Sequence, residues 1–93
     1  MAWMVVRQKV EDFQKWKKIF DSAAILRKAS GERSFQIFRN TEDPNEIILL
    51  LEWNDIRNAV KYSQNKLFKE AEKKAGVVME PILYLPDEGV ESS

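Results

Sequence analysis

The chain contains neither cysteine nor histidine. Without cysteine there can be no disulfide, zinc–thiolate site, iron–sulfur cluster or thiol nucleophile, and a reducing compartment, the cytoplasm, is the expected location. Without histidine the commonest general base, metal ligand and axial haem ligand is missing, so any chemistry must run without imidazole. Neither a metal site nor a cofactor is expected. Net charge is missing too, because fifteen basic side chains balance fifteen acidic ones. The broad attraction that draws proteins to nucleic acid or to anionic membranes is therefore absent. No apolar run approaches the roughly 20 residues of a membrane helix, and Met1–Val6 is too short for a signal-peptide core. With only three glycines and three prolines, there is little room for flexible or low-complexity segments.

What remains is a chain of 93 residues, 44% apolar and 32% charged, which suits one hydrophobic core and is too short for two. A single domain is expected over residues 1–86, followed by a polar tail over 87–93. Trp3–Val10 mixes aromatic and β-branched residues in a strand pattern. Asp12 offers an N-cap. From there Phe13, Trp16, Phe20, Ala23, Ala24 and the stem of Arg27 recur at spacings of three and four, which predicts one helix to about Ser30, closed by Gly31. Ser34–Asn40 and Ile47–Trp53 read as strands joined by the turn-forming TEDPNE, giving an antiparallel hairpin. Asn54 or Asp55 caps a second helix, whose stripe of Ile56, Ala59, Val60 and Ser63 breaks at Gln64-Asn65 before Leu67, Phe68, Ala71 and Ala75 resume it. Gly76 closes that helix. Val77–Leu85 is the last strand, expected at an edge or bulged because Pro81 cannot donate a ladder hydrogen bond.

The order β-α-β-β-α-β is the ferredoxin-like, α+β arrangement: a four-stranded antiparallel sheet with both helices on one face. An uncovered face normally shows a polar residue at every second position. Here Ile47, Leu49, Leu51 and Trp53 point one way while Ile48 and Leu50 point the other, and Val77–Leu85 is likewise apolar on both parities. Burying several hundred Å² of such surface at about 25 cal/mol per Å² recovers many kcal/mol gross. Two sheets paired face to face about a two-fold axis are the expected solution, with Ile48, Leu50, Val77 and Met79 at the interface.

The segments VEDFQKWKKIFD, RNTEDPNEIILLLEWND and KEAEKKAGVVMEPILYL resemble the antibiotic-biosynthesis-monooxygenase-like group of the dimeric α+β barrel superfamily. The resemblance spans about residues 4–85 and is most specific over Arg39–Trp53. It implies a homodimer with a small pocket in each subunit between helices and sheet. The group includes cofactor-free monooxygenases of aromatic polyketides and haem-degrading enzymes. The latter use an axial histidine with Asn and Trp, so the absence of histidine speaks against haem degradation here. An alternative from another class is a non-catalytic dimeric module that binds a hydrophobic metabolite. A third is a domain whose pocket is filled by its own side chains.

Candidate pocket residues carry two readings each. Trp16 and Trp53 can line an aromatic pocket or fill the core. The phenols Tyr62 and Tyr84 can hydrogen-bond a substrate oxygen or sit at the rim. Arg7 and Gln36 can point into a cavity as recognition groups or face solvent. Asn54 is first a helix cap, and Glu52 and Glu80 are ordinary strand carboxylates unless the fold brings them together. No phosphate loop, metal-ligand spacing or nucleophile elbow is present.

Overall fold

A computed structural model describes residues 2–78 and 82–86. The elements are β1 (Ala2–Lys9), α1 (Phe13–Ser22), α2 (Ala24–Ser30), β2 (Glu32–Arg39), β3 (Glu46–Trp53), α3 (Ile56–Ser63), α4 (Lys66–Lys74) and β4 (Ile82–Tyr84). The strands form one antiparallel sheet in the order β2-β3-β1-β4, the ferredoxin-like arrangement. β4 lies at an edge, as the sequence predicts.

The helix ends follow local chemistry. Asp12 caps α1 by accepting from the Gln14 amide at 2.9 Å, and Asp55 caps α3 by accepting from Arg57 N at 2.8 Å. Asn65 does the same for α4 through Leu67 N, so the Gln64-Asn65 break is a true helix boundary. Gly31 ends α2 at φ 118°, a conformation that disfavours any residue carrying a Cβ. One expectation fails here: the single helix to Ser30 is two, separated at Ala23, where φ −87° and ψ 1° interrupt the regular ladder. Apolar spacing continues through that position, so periodicity alone gave no sign of the interruption.

Strand parity builds the core. Met4, Val6 and Val10 from the first strand segment are buried beneath the helices together with Ile47, Leu49, Leu51 and Trp53 of β3. Each such side chain contributes about 1.5–3 kcal/mol gross on burial. The opposite face is bare among the described residues. It presents Trp3, Ile48, Phe38, Ile82 and Tyr84, all exposed, around the half-buried Val5 and Leu50. Met79, Glu80 and Pro81, which the sequence places in the last strand, and the polar tail lie outside the described residues. Among those described, no helix is long and apolar enough to cross a membrane.

Candidate functional site

A cavity of about 50 Å³ lies between the helices and the helix-bearing face of the sheet. Its floor is Val6 and Gln8 of β1 with Leu49 and Leu51 of β3. Trp16, Ile19 and Phe20 of α1 roof it, and Arg27 of α2 enters at one side. Tyr62 of α3 and Phe68, Ala71 and Glu72 of α4 close the remaining wall. Helical spacing brings Trp16 and Phe20 together, and the packing of α3 on β3 and α4 brings Tyr62 to Trp53 and Phe68. Trp16 stacks on Phe20 with ring centroids 5.0 Å apart, and Tyr62 packs between Trp53 at 5.1 Å and Phe68 at 5.0 Å.

Polar groups enter this apolar chamber at two places. On β1, Gln8 shares the buried parity of Met4 and Val6. With its amide turned to satisfy both neighbours, its oxygen accepts from the Trp16 indole N–H at 2.9 Å and its nitrogen donates to Glu72 Oε2 at 3.3 Å. Burial pushes the Glu72 carboxyl up to about 7, Lys69 pulling weakly the other way. Near neutral pH this group can therefore take up or release a proton.

The second place is α2. Arg27 donates through Nε to Glu32 Oε2 at 2.6 Å and through Nη1 to the Phe20 carbonyl, while its guanidinium carbon sits 3.6 Å from the centre of the Phe20 ring. The side chains of the ion pair are only 3% and 2% exposed. Burial raises the Glu32 carboxyl above its ordinary value, and Arg27 opposes that rise. Arg27 Nη2 is buried and has no partner among the described residues. Burial also drives the Tyr62 phenol up to about 12, Arg27 tempering the rise and Glu32 and Glu72 adding to it. Tyr62 is thus a neutral hydrogen-bonding phenol and not a base at pH 7.

Of the pocket candidates read from the sequence, Trp16 and Tyr62 line the cavity. Trp53 does not: it is wholly buried behind Tyr62, its indole N–H unpartnered among the described residues, and it serves as core. Arg7, Gln36 and Tyr84 require correction. Arg7 pairs in register with Ile48, Gln36 with Leu50 and Tyr84 with Val5, so all three stand on the uncovered face, away from the cavity. Arg7 there donates to Glu46 Oε1 at 2.9 Å. Ile48 and Leu50 occupy that same face. Val77, assigned to the interface, instead packs against the core beside Val10, and its exposed neighbour is Val78. Met79 lies outside the described residues. Glu52 accepts from the Ser34 hydroxyl at 3.0 Å, and Asn54 accepts from Asn58 Nδ2 at 2.9 Å rather than capping α3.

The groups that sequence reasoning missed are Gln8, Arg27, Glu32 and Glu72. Three left a signal: Gln8 is a polar residue on an otherwise apolar parity, Arg27 lies by its stem on the inner stripe of the first helix, and Glu72 lies four residues after Phe68 and three before Ala75, on the inner stripe of its helix. Among the described residues no group of three or more carboxylates is placed to hold a metal ion.

The family model for antibiotic biosynthesis monooxygenase matches residues 4–74, most of the chain. The chain belongs to the antibiotic biosynthesis monooxygenase family. No curated protein matches it by sequence. Solved structures similar to this family member include SnoaB, a cofactor-independent oxygenase from Streptomyces nogalater, at 15% identity and TM-score 0.70, covering 98% of this chain and 97% of that one. A conserved protein from Methanosarcina mazei Go1 is 20% identical with TM-score 0.71, over 96% of this chain and 94% of its own. Rv0793 from Mycobacterium tuberculosis is 10% identical with TM-score 0.71, over 99% and 98%. Likeness at these identities establishes the shared fold.

Proposed function

We propose that this family member is a homodimeric, cofactor-independent monooxygenase acting on a small aromatic substrate. The observation that carries the reading is the aromatic-lined cavity, open on one side, with a carboxyl, Glu72, poised to exchange a proton near pH 7. In cofactor-free oxygenation the substrate supplies the electrons, and it reacts with dioxygen once a phenol or enol has lost its proton. The protein's share is to exclude water, stack the ring and accept that proton. Trp16, Phe20, Tyr62 and Phe68 provide the stacking surfaces, and Glu72 is the acceptor.

The bare sheet face supports the dimer: Trp3, Phe38, Ile48, Ile82 and Tyr84 are exposed there, interrupted by Arg7 and Gln36. Light scattering at micromolar concentration should find twice the 10.9 kDa of one chain. A monomer would remove this part of the reading. Catalysis is tested by oxygen uptake with electron-rich phenols, from single-ring hydroquinones to anthrone-type tricycles. Uptake that is lost in Glu72→Gln supports the assignment, and no uptake with any of them refutes it.

The small volume favours a second reading. A space of about 50 Å³ is well below the roughly 300 Å³ at which ligand pockets begin, which suits a domain whose pocket is filled by its own side chains. Calorimetric titration that finds no saturable binding of any such phenol would select it.

A further inference from the structure

Two features of the cavity are unexplained by packing. The first is Arg27. Its side chain is 3% exposed, two of its nitrogens are spent on Glu32 and the Phe20 carbonyl, and Nη2 has no partner among the described residues although Arg27 borders the cavity. A buried guanidinium N–H left unmatched is costly, and a ligand oxygen would remove that cost. The second is Glu72. Its one side-chain hydrogen bond among the described residues is to the Gln8 amide at 3.3 Å, and Gln8 is held in that orientation by Trp16. A carboxylate accepts about four hydrogen bonds, so Glu72 retains capacity toward the cavity. Nearly all the remaining wall is apolar, and much of it is flat aromatic surface.

We infer that Arg27 and Glu72 are the two polar ends of a ligand site that takes a single-ring phenol or enol conjugated to a carbonyl, whose hydroxyl donates to Glu72 and whose carbonyl oxygen accepts from Arg27 Nη2. This assignment rests on the cavity being the substrate site of the proposed oxygenase. It gives the proton step a direction. The O–H bond of the ligand breaks, the proton goes to a Glu72 oxygen, and the negative charge passes through the conjugated ring to the oxygen facing Arg27. The site's total charge is unchanged, and the new charge sits beside a fixed cation. A cavity of about 150 Å³ admits benzene, so the ring alone requires the wall to yield by about 100 Å³, and its hydroxyl and carbonyl groups require more. α4 is the wall able to do so, because none of its residues is fully buried.

The test is calorimetric titration with 4-hydroxyacetophenone and its two truncations, acetophenone, which lacks the hydroxyl, and phenol, which lacks the carbonyl. The wild type should bind the complete probe about tenfold or more tightly than either truncation, as expected for hydrogen bonds to charged groups. Glu72→Leu should abolish the preference over acetophenone and keep the preference over phenol. Arg27→Lys, which leaves a cation for Glu32 but no N–H at the Nη2 position, should do the reverse. Circular dichroism establishes that each variant is folded; should Arg27→Lys unfold, the Glu72→Leu result decides alone, since removing a half-buried charge does not threaten the fold. A wild type that binds none of the probes, or shows no preference, overturns the inference, as does a preference over acetophenone that survives Glu72→Leu. Oxygen uptake measured in parallel separates the two readings: uptake with unswitched preferences leaves the oxygenase standing and removes this site, and switched preferences without uptake do the opposite.

Discussion

Removing the cation from the buried ion pair is the sharpest perturbation the fold offers. In Arg27→Met the Glu32 side chain, 2% exposed, would lose its ion-pair partner among the described residues. Stranding a buried charge costs about 3–5 kcal/mol, a large part of the 5–15 kcal/mol that holds a domain of this size together. The melting temperature should fall by about 15–30 °C. The paired variant Arg27→Met/Glu32→Leu removes both charges and keeps apolar volume. It still loses the donor to the Phe20 carbonyl and the cation over the Phe20 ring, each worth about 1 kcal/mol. It should therefore lie about 1–2 kcal/mol below wild type and at least about 1–2 kcal/mol above the single variant. Urea unfolding followed by tryptophan fluorescence measures all three. The single variant should also gain stability as pH falls. An unpaired buried carboxyl has a raised folded pKa, so its contribution is fully present below the unfolded value and is lost as pH rises through the folded one. Equal losses in the single and paired variants would refute the reasoning, because the cost would then reside in packing and not in an uncompensated charge.

Two further outcomes follow from the same geometry. Glu72 titrates up to about 7 in the fold against an ordinary 4.5, so it favours the folded state below pH 4.5 and ceases to do so as pH rises through 7. The groups around it are Lys69 on its own helix, Gln8 across the cavity and the neutral Tyr62. The full shift corresponds to about 3.4 kcal/mol, which partial exposure reduces to about 1.5; wild type should lose that much between pH 5 and 8, and a Glu72→Gln variant should not. Gly31→Ala meets two obstacles at once, φ 118° and Asn54 Oδ1 lying 2.5 Å from the new Cβ. It should cost about 2–3 kcal/mol in urea unfolding, and a loss under about 0.5 kcal/mol would mean that the α2 end relaxes freely.

Much of the fold was legible because its signals are local. Asp12, Gly31, the hairpin turn and the break at Gln64-Asn65 each act within a few residues of themselves, and the structure uses all four. The doubly apolar β3 was also plain in the sequence, and its two parities separate in the fold, Ile47, Leu49, Leu51 and Trp53 beneath the helices, Ile48 and Leu50 on the bare side. Arg7, Gln36 and Tyr84 were misplaced because alternation says which residues share a face without saying which face the helices cover, and a shift of one position reverses the answer. The same alternation, followed one step further, would have placed Gln8 inside with Met4 and Val6.

The sequence by itself determined the elements, their order and an apolar surplus on the sheet, since these depend on periodicity and on the backbone preferences of individual residues. Only the tertiary structure decided which charges are buried. Whether Arg27 is a solvated last-turn cation or half of an ion pair depends on where Glu32 emerges after Gly31, and whether Glu72 is a surface carboxylate or a proton acceptor depends on how far the packing of its helix over the sheet buries it. Desolvation and Coulomb attraction are set by distances between elements, and those distances exist only once the helices have closed over the sheet.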